Sequence, residues 1–335
     1  MTADILAALQ QEGGGSIPFD RFMGAALYDP QVGYYTRHIR SVGGARGDFS
    51  TWPGRDRSLA HAVAAWLREE GARDIVEVGA GTGRLAADVL SALGWFRRWR
   101  TTLHIVEISP VLRARQQEVL RGRNVAWHSS LSEALRSCGG RADIYSNELP
   151  DAFPCRAFLR TDSGWSEIGV QIEGGTAREV LRPGVLPPSS ALCASLPPGS
   201  RVEVHESYQR WLASWSPDWR EGRMLTVDYG DEMPGLYHRR PGGSLRAYAH
   251  QQRFTGAGIY TSFGHRDITA DVNFTDLRAW GEELGWETCV NSTLKTWLEG
   301  HANLAPNLQE AAEAFRVLVQ RRAIEASCQA PSKAA

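Results

Sequence analysis

The sequence of 335 residues predicts an α/β fold with a doubly wound, mostly parallel sheet. One observation is an apolar run at 75–78 that leads directly into three alternating glycines, Gly79, Gly81 and Gly83, and then into helical spacing over 84–90. Another is the alternation of apolar runs with helical segments along the chain, the order that produces parallel strands. A strand, a glycine turn and a helix together indicate a ligand site at the edge of the sheet.

The remaining elements follow in order. Strands are expected over 75–78, 103–108, 125–128, 142–146, 224–228 and 286–290, helices over 84–90, 131–136, 206–215 and 274–284, and loops over 235–264. Short alternating runs between 155 and 204, broken by Gly and Pro, predict an inserted antiparallel hairpin region. We expect an N-terminal helical or lid segment over 1–70, core halves over 71–154 and 221–326, a substrate-side insertion over 155–220 and a frayed tail over 327–335.

The glycine turn favours a nucleoside ligand, because glycine adopts positive φ and lets a ligand approach the backbone closely. From Gly79 the spacing is G-x-G-x-G, which is usual for S-adenosylmethionine, and Arg84 occupies the position where a dinucleotide turn has Gly or Ala. From Gly81 the chain does satisfy G-x-G-x-x-A, so a dinucleotide remains open. Glu77, within the preceding strand, is counted with the glycines as a candidate donor-binding residue.

The second strand supports a nucleoside ligand. Near its end lies Glu107, 24 residues after Gly83, close to the distance at which nucleotide-binding folds place an acid on the ribose hydroxyls. The alternative is a solvated acid at a strand end. Ser109 as N-cap and Pro110 at the first helical position predict that a helix begins there.

The turn after the fourth strand places an amide and two carboxylates at the predicted crevice. These are Asn147, Glu148 and Asp151, and ligands of open α/β sheets bind beyond the carboxyl ends of the strands. Two acids there suit a cationic substrate. The alternative is that both acids cap the next segment.

Histidines suggest a rival chemistry. His250 and His265 fall in glycine-rich segments, and either is a candidate general base for a hydroxyl or amine acceptor in a small-molecule methyltransferase. A solvated loop histidine is the alternative for each.

The composition argues against several classes of protein. A net charge of −1 with no basic block argues against a general nucleic-acid-binding surface. Five scattered cysteines with no C-x-x-C predict a reducing, cytoplasmic location and no metal site. The N-terminus has no signal-peptide pattern, and no apolar run approaches the length of a membrane span, so we expect no membrane partner.

Six separated motifs carry a family resemblance. They lie at 28–35, 47–53, 79–83, 147–154, 228–230 and 267–274. In this order they resemble MidA-like methyltransferases, a family that includes the mitochondrial arginine methyltransferase of complex I assembly. The resemblance spans roughly residues 18–300.

The resemblance implies a class I methyltransferase (Rossmann-like) sheet of seven strands, S-adenosyl-L-methionine as donor, and protein arginine as acceptor. It makes Gly79, Gly81 and Gly83 the donor loop and Glu107 the ribose acid. The segment 47–51 resembles an N-terminal lid over the donor, which adds the candidate donor-binding residues Asp48, Phe49 and Thr51. Trp52 and 54–56 depart from the family pattern next to this lid.

The resemblance also puts Asn147 and Glu148 beside the methyl group. An arginine acceptor is a protonated planar fork, which carboxylates bind and orient. Glu148 is the first candidate for this role, Asp151 the second and Asp228 the third, with Tyr229 lining the crevice and His250 as the general-base alternative. We therefore expect a protein or peptide methyltransferase; the alternatives are a small-molecule O- or N-methyltransferase and a donor-binding assembly factor without turnover.

Overall fold

The computed structural model describes residues 1–39, 56–302 and 304–323, so the tail expected at 327–335 lies outside the described residues. The N-terminal part contains helix α1 (Thr2–Glu12), strand β1 (Ile17–Pro18), helix α2 (Phe19–Tyr28), a π-helical turn at Tyr34–His38, and helix α3 (Ser58–Glu70). Strand β1 pairs antiparallel with residues 169–170, so this N-terminal part packs against the middle of the chain.

The first run of alternating strands and helices follows the expected order. It contains β2 (Asp74–Val78), α4 (Arg84–Ala92), α5 (Trp95–Arg100), β3 (Thr102–Val106), α6 (Pro110–Val119), β4 (Val125–His128), α7 (Leu131–Ser137) and β5 (Asp143–Asn147). Helix α6 begins as predicted, with the Ser109 hydroxyl accepting from Leu112 N–H and Pro110 at the first position. The strand expected to reach Ile108 ends at Val106, so Ile108 lies beyond the sheet.

The middle of the chain forms a second, antiparallel sheet. Its elements are β6 (Arg156–Thr161), β7 (Gly164–Glu173), β8 (Thr176–Arg182), α8 (Ser190–Cys193) and β9 (Arg201–Val204), followed by α9 (Glu206–Trp215). Strand β7 pairs with β6, β8 and β1, and β6 pairs with β9. The antiparallel hairpins expected between 155 and 204 are therefore present.

The last part returns to the large sheet. It contains β10 (Gly222–Asp231), α10 (Gly235–Arg239), β11 (Arg246–Ala249), β12 (Gln252–Phe254), β13 (Asp267–Thr269), β14 (Val272–Asn273), α11 (Phe274–Glu283), β15 (Glu287–Thr293), α12 (Leu294–His301), α13 (Gln309–Glu313) and β16 (Phe315–Arg322). The expectation of loops throughout 235–264 was wrong, because α10 and the β11–β12 hairpin form there. Strands β11, β12 and β13 make a small third sheet.

The large sheet has the strand order β15-β16-β10-β5-β2-β3-β4, with the short β14 added beside β10. Strands β2, β3, β4, β5 and β10 are parallel, and β16 is antiparallel to both of its neighbours. Strand β16, which lies between β10 and β15, was not predicted from the sequence. The predicted doubly wound, mostly parallel sheet is confirmed.

Alternate residues of the strands face two apolar layers. Ile75 packs in the layer that contains Leu67 of α3 and Leu298 of α12, whereas Val76 packs in the layer that contains Leu135 of α7 and Leu277 of α11. Both faces of the sheet are therefore covered, which buries the parallel strands and leaves their carboxyl edge for a ligand.

Candidate active site

The turn after β2 has the backbone conformation that its glycines require. Gly79, Gly81 and Gly83 have φ of 71°, 52° and 79°, a region that other residues rarely adopt. A Cβ on Gly79 would lie 3.0 Å from Leu149 Cδ1, and one on Gly83 would lie 3.3 Å from Gln116 Cα. The turn is therefore tight, and its backbone carries no side chain at the three glycine positions, between which lie Ala80 and Thr82.

Glu107 is held beside this turn by two hydrogen bonds, and Gln116 links it to the turn. Its Oε1 accepts from Ser109 N–H at 2.8 Å, and its Oε2 accepts from Gln116 Nε2 at 2.9 Å. The same Gln116 nitrogen donates to the Gly81 carbonyl at 2.9 Å, and Gln116 Oε1 accepts from the Trp127 indole at 3.2 Å. Burial raises the pKa of Glu107, and these donors oppose that rise.

Gln116 is a site residue that the sequence analysis missed. It is fully buried and joins the acid to the glycine turn. A signal was present, because Leu112, Gln116 and Leu120 recur at intervals of four and all three face inward on or just after α6. A polar residue at an apolar position of a helix beside a ligand turn is a candidate for a positioning role.

Glu77 lies in β2 directly beneath the turn and is buried. The Tyr145 hydroxyl donates to its Oε2 at 2.7 Å. Burial raises the pKa of Glu77 to about 8, because desolvation and the nearby Glu107 charge outweigh that hydrogen bond. A cation bound here would stabilise the ionised form.

At the end of β5, Glu148 is fixed by its neighbours from both sides. Asn147 Nδ2 donates to Oε1 at 3.0 Å and the Tyr229 hydroxyl donates to Oε2 at 3.1 Å. The backbone of Glu148 has φ of 53°, a strained conformation for a residue with a side chain. Asn147 Oδ1 is buried and has no hydrogen-bond partner among the described residues.

Two buried aspartates lie behind Glu148. Asp228 Oδ2 accepts from Asp151 N–H at 3.0 Å, and Asp228 Oδ1 accepts from Tyr229 N–H at 2.7 Å. Burial raises the pKa of Asp151 well above its ordinary range, and the charges of Asp267 and Glu148 raise it further. Burial and the charge of Asp151 raise the pKa of Asp228 in the same way. The pair thus binds a proton more tightly than exposed aspartates do.

The N-terminal motif at 28–35 closes this acidic cluster from the opposite side. The Tyr28 hydroxyl donates to the Ala152 carbonyl at 2.8 Å, and the Tyr35 hydroxyl donates to Asp267 Oδ1 at 2.9 Å. The two rings stack with centroids 5.6 Å apart. Motifs that are distant in sequence, at 28–35, 147–154, 228–230 and 267–274, are therefore adjacent here.

Arg246 supplies a fixed positive charge at the border of the cluster. It donates to Asp271 Oδ1 and to the Ser244 carbonyl, and its guanidinium lies 5.3 Å from the centre of the Tyr229 ring. Its pKa is raised because the attraction of Asp271 outweighs the effect of burial. Tyr229 therefore contacts both Glu148, through its hydroxyl, and Arg246, through its ring.

Other predicted residues lie elsewhere. His250 is exposed at the two-residue turn between β11 and β12, where both His250 and Gln251 have positive φ. This exposed position gives no support to the predicted role of His250 as a general base, and that role stays a prediction. The lid candidates Asp48, Phe49 and Thr51 lie outside the described residues.

The residues around the glycine turn fit S-adenosylmethionine as a ligand. A turn with three glycines, a fixed carboxylate at Glu107 and the exposed apolar side chain of Ile108 lie at one edge of the sheet. They match a backbone cradle, a ribose acceptor and an apolar surface for a purine. Within 1–39, 56–302 and 304–323, no group of three or more His, Cys, Asp or Glu is arranged to hold a metal ion.

A model of a family described as S-adenosyl-L-methionine-dependent methyltransferases, Methyltransf_28, matches residues 58–291. The chain belongs to this family. A COG1565 superfamily member from Burkholderia thailandensis, bound to S-adenosylhomocysteine, superposes with a TM-score of 0.81 at 26% identity, covering 96% of this chain and 93% of that chain. A native structure of a COG1565 superfamily protein from the same organism gives a TM-score of 0.77 at 27% identity, covering 96% and 92%. The predicted MidA-like family, class I fold and S-adenosylmethionine donor are confirmed.

The curated relatives that match this chain are named as mitochondrial proteins. The mitochondrial protein arginine methyltransferase NDUFAF7 of Danio rerio is 27% identical over 303 residues, which cover 79% of this chain and 68% of the relative. The Caenorhabditis elegans homologue is 25% identical over 302 residues, covering 78% and 67%. The cytoplasmic location predicted from the cysteines was wrong on this comparison, because the curated relatives are named as mitochondrial proteins. No helix in the described part of the chain has the length and apolar character needed to span a bilayer.

Proposed function

We propose that this chain methylates an arginine side chain of a protein substrate. The observation that carries the proposal is the half-buried carboxylate of Glu148, held by Asn147 and Tyr229 and backed by the buried acids Asp151 and Asp228. A site with this density of carboxylates selects a cation. The names of the curated relatives support arginine as that cation.

Donor binding falls to the residues around the glycine turn. Gly79, Gly81 and Gly83 would leave room for the donor against the backbone, Glu107 would accept from the ribose hydroxyls, and Glu77 would balance the donor's positive charge. When bound, S-adenosylmethionine supplies an electrophilic methyl group on a sulfonium. The role of the protein is to hold the acceptor nitrogen in line with it and to exclude water.

Glu148 would orient the guanidinium and take its proton. A carboxylate binds the planar fork of arginine through parallel N–H donors, and the buried acceptor Asn147 Oδ1 is available to a further N–H. As the new C–N bond forms, the bond between the methyl carbon and the donor sulfur would break, leaving neutral S-adenosylhomocysteine. One N–H bond of the same nitrogen would also break, and its proton would pass to the Glu148 carboxylate. The methylated guanidinium keeps its single positive charge, so charge and atoms balance.

Asp151 and Asp228 would tune this step without touching the substrate. Burial and their mutual charge raise the pKa values of both acids and so favour a shared proton, which would limit the negative charge that must be buried when the substrate is absent. The backbone N–H groups of Asp151 and Tyr229 are bound to Asp228, which fixes the loop that carries Glu148 relative to β10. These are positioning roles.

Labelled methyl transfer tests the proposal. The protein is incubated with methyl-labelled S-adenosylmethionine and cell extract, the products are separated into protein and small molecules, and labelled protein is hydrolysed for amino-acid analysis. We expect the label in methylarginine. Label confined to the small-molecule fraction, or on another amino acid, would replace this function with the corresponding alternative.

Glu148→Gln is the matched variant, because glutamine keeps the shape and can still accept from Tyr229. We expect at least about a hundredfold loss of transfer, the scale of a lost catalytic proton acceptor. Affinity for S-adenosylhomocysteine, measured by calorimetry, should stay unchanged. Unchanged transfer with intact donor binding would contradict the role given to Glu148.

A further inference from the structure

Helix α5 exposes three large aromatic side chains at the edge of the sheet opposite to the glycine turn. Trp95, Phe96 and Trp99 are 74%, 65% and 79% exposed, and no residue of this helix is buried. Tryptophan is highly buried on average, so three protruding rings within five positions form an exposed apolar surface. We call these three side chains the aromatic triad.

Arginines surround the aromatic triad. Arg98 and Arg100 are on α5 itself, Arg73 precedes β2, and Arg121 and Arg123 precede β4. The amino ends of these strands are joined directly, since Thr102 N–H donates to the Arg73 carbonyl and Leu103 N–H donates to the Asn124 carbonyl. The arginines therefore share one edge, which we call the basic edge.

In the part of the chain that the structure describes, the five arginines of the basic edge are not paired with carboxylates, and Asp74, which follows Arg73 in the chain, pairs with His104 instead. Arg100 lies over the Phe96 ring at 5.6 Å. Asp88, whose charge reaches Arg123, is already in ion pairs with Arg57 and Arg84. Partial burial and the neighbouring Arg98 lower the pKa of Arg123, which places the two cations close together.

We propose that the aromatic triad and the basic edge together bind the surface of an anionic lipid bilayer. Tryptophan and phenylalanine side chains partition into the headgroup region, and arginines around them pair with lipid phosphates. The contact is peripheral and requires no spanning segment. The absence of a membrane partner was expected because no apolar run in the sequence approaches the length of a membrane span, which a peripheral contact does not need.

Other partners fit less well. A second copy of this chain would bring two basic edges together, and like charges repel. Single-stranded nucleic acid binds in a positively charged groove, and its bases stack on aromatic side chains there. The three rings of the aromatic triad instead protrude from a single helix. A protein partner would need a matching acidic pocket for three protruding rings, while a fluid bilayer adapts its surface to them.

The position of the basic edge separates it from methyl transfer. Strand β3 begins next to α5 and ends next to Glu107, so its five residues, about 16 Å of extended chain, lie between the two surfaces. A protein docked through the aromatic triad would hold its glycine turn and Glu148 on the side away from the lipid. Substrate could then enter from the aqueous phase.

Co-sedimentation with vesicles tests the proposal. We expect the full chain to bind phosphatidylcholine vesicles containing phosphatidylglycerol, to bind pure phosphatidylcholine vesicles weakly, and to dissociate in high salt. Arg98→Gln with Arg100→Gln should lower the partition coefficient about fivefold per arginine. Trp95→Ala with Trp99→Ala should abolish quenching of tryptophan fluorescence by brominated lipid.

The controls remove similar groups from other surfaces. Leu181→Ser with Val185→Ser removes exposed apolar side chains, and Arg21→Gln removes an exposed charge, so both should bind vesicles like the unaltered chain. All variants should keep their affinity for S-adenosylhomocysteine, which shows that they fold. Equal binding to neutral and anionic vesicles, unchanged binding by both α5 variants, or tighter binding to single-stranded RNA or an acidic peptide would overturn the proposal.

Discussion

The side-chain amide of Gln116 donates to a carboxylate oxygen of Glu107 across 2.9 Å, and the same nitrogen lies 2.9 Å from the Gly81 carbonyl oxygen. One buried residue thus fixes both the predicted ribose acid and the glycine turn. The donor site depends on helix α6 as well as on the two strands that carry its motifs.

Gln116→Leu should weaken donor binding. Leucine fills the space but leaves the Glu107 carboxylate and the Gly81 carbonyl without this donor, at a cost of about 1–3 kcal/mol. Affinity for S-adenosylhomocysteine should fall roughly 10- to 100-fold by calorimetry. Gln117→Leu changes the exposed neighbour in the same helix and should bind normally. Equal affinities of the two variants would remove the positioning role.

Gly79→Ala should also weaken donor binding. The turn requires φ of 71° at this position, and the new Cβ would lie 3.0 Å from Leu149 Cδ1. Gly174→Ala is the control, since Gly174 has φ of 56° in the β7–β8 turn and no heavy atom within 4 Å of the added Cβ. Both variants carry backbone strain of about 1–2 kcal/mol, and Gly79→Ala alone should lose affinity for S-adenosylhomocysteine.

Glu148→Gly should separate stability from activity. The residue has φ of 53°, and glycine relieves a strain of about 1–2 kcal/mol. We expect the free energy of unfolding in urea to stay equal or rise slightly, while methyl transfer is lost with the carboxylate. A large drop in stability would indicate that Glu148 is mainly structural.

Tyr229→Phe should reduce methyl transfer modestly. The variant loses the hydroxyl that donates to Glu148 at 3.1 Å but keeps the ring that packs on Phe315 with centroids 4.1 Å apart. A single hydrogen bond of about 0.5–1.5 kcal/mol corresponds to a two- to tenfold change in kcat. Donor affinity should not change. A full loss of activity would assign the hydroxyl a more direct part.

Glu77→Gln should change how stability depends on pH. The pKa of Glu77 rises from an ordinary 4.5 to about 8 on folding, so between these values the folded state holds a proton that the unfolded chain releases. The free energy of unfolding then falls as pH rises through this window. Other buried acids add to the same slope. The free energy of unfolding should be measured without donor. Between pH 5.5 and 8 it should fall less for the variant than for the unaltered chain, by roughly a few kcal/mol. Parallel curves would contradict the raised pKa.

Most of the central sheet could be predicted from the sequence, because each element is specified locally. The helix Glu206–Trp215 and the strand Val125–His128 were found at their observed bounds. Strand β16 was missed because its residues, Phe315–Arg322, end in two arginines and have no turn or motif beside them. Its pairing with both β10 and β15 is a contact between distant segments.

The sequence by itself determined the glycine turn, the acid at the end of the next strand and the carboxylates after β5, because each depends on residue types at short spacing. Only the tertiary structure decided how Asp228, Asp267 and Tyr35 surround Asp151, since these contacts join segments more than 70 residues apart. It also decided that Gln116 faces Glu107 and that α5 presents its aromatic side chains outward. Burial and mutual charge, which set the pKa values of the buried acids, arise only when those segments pack together.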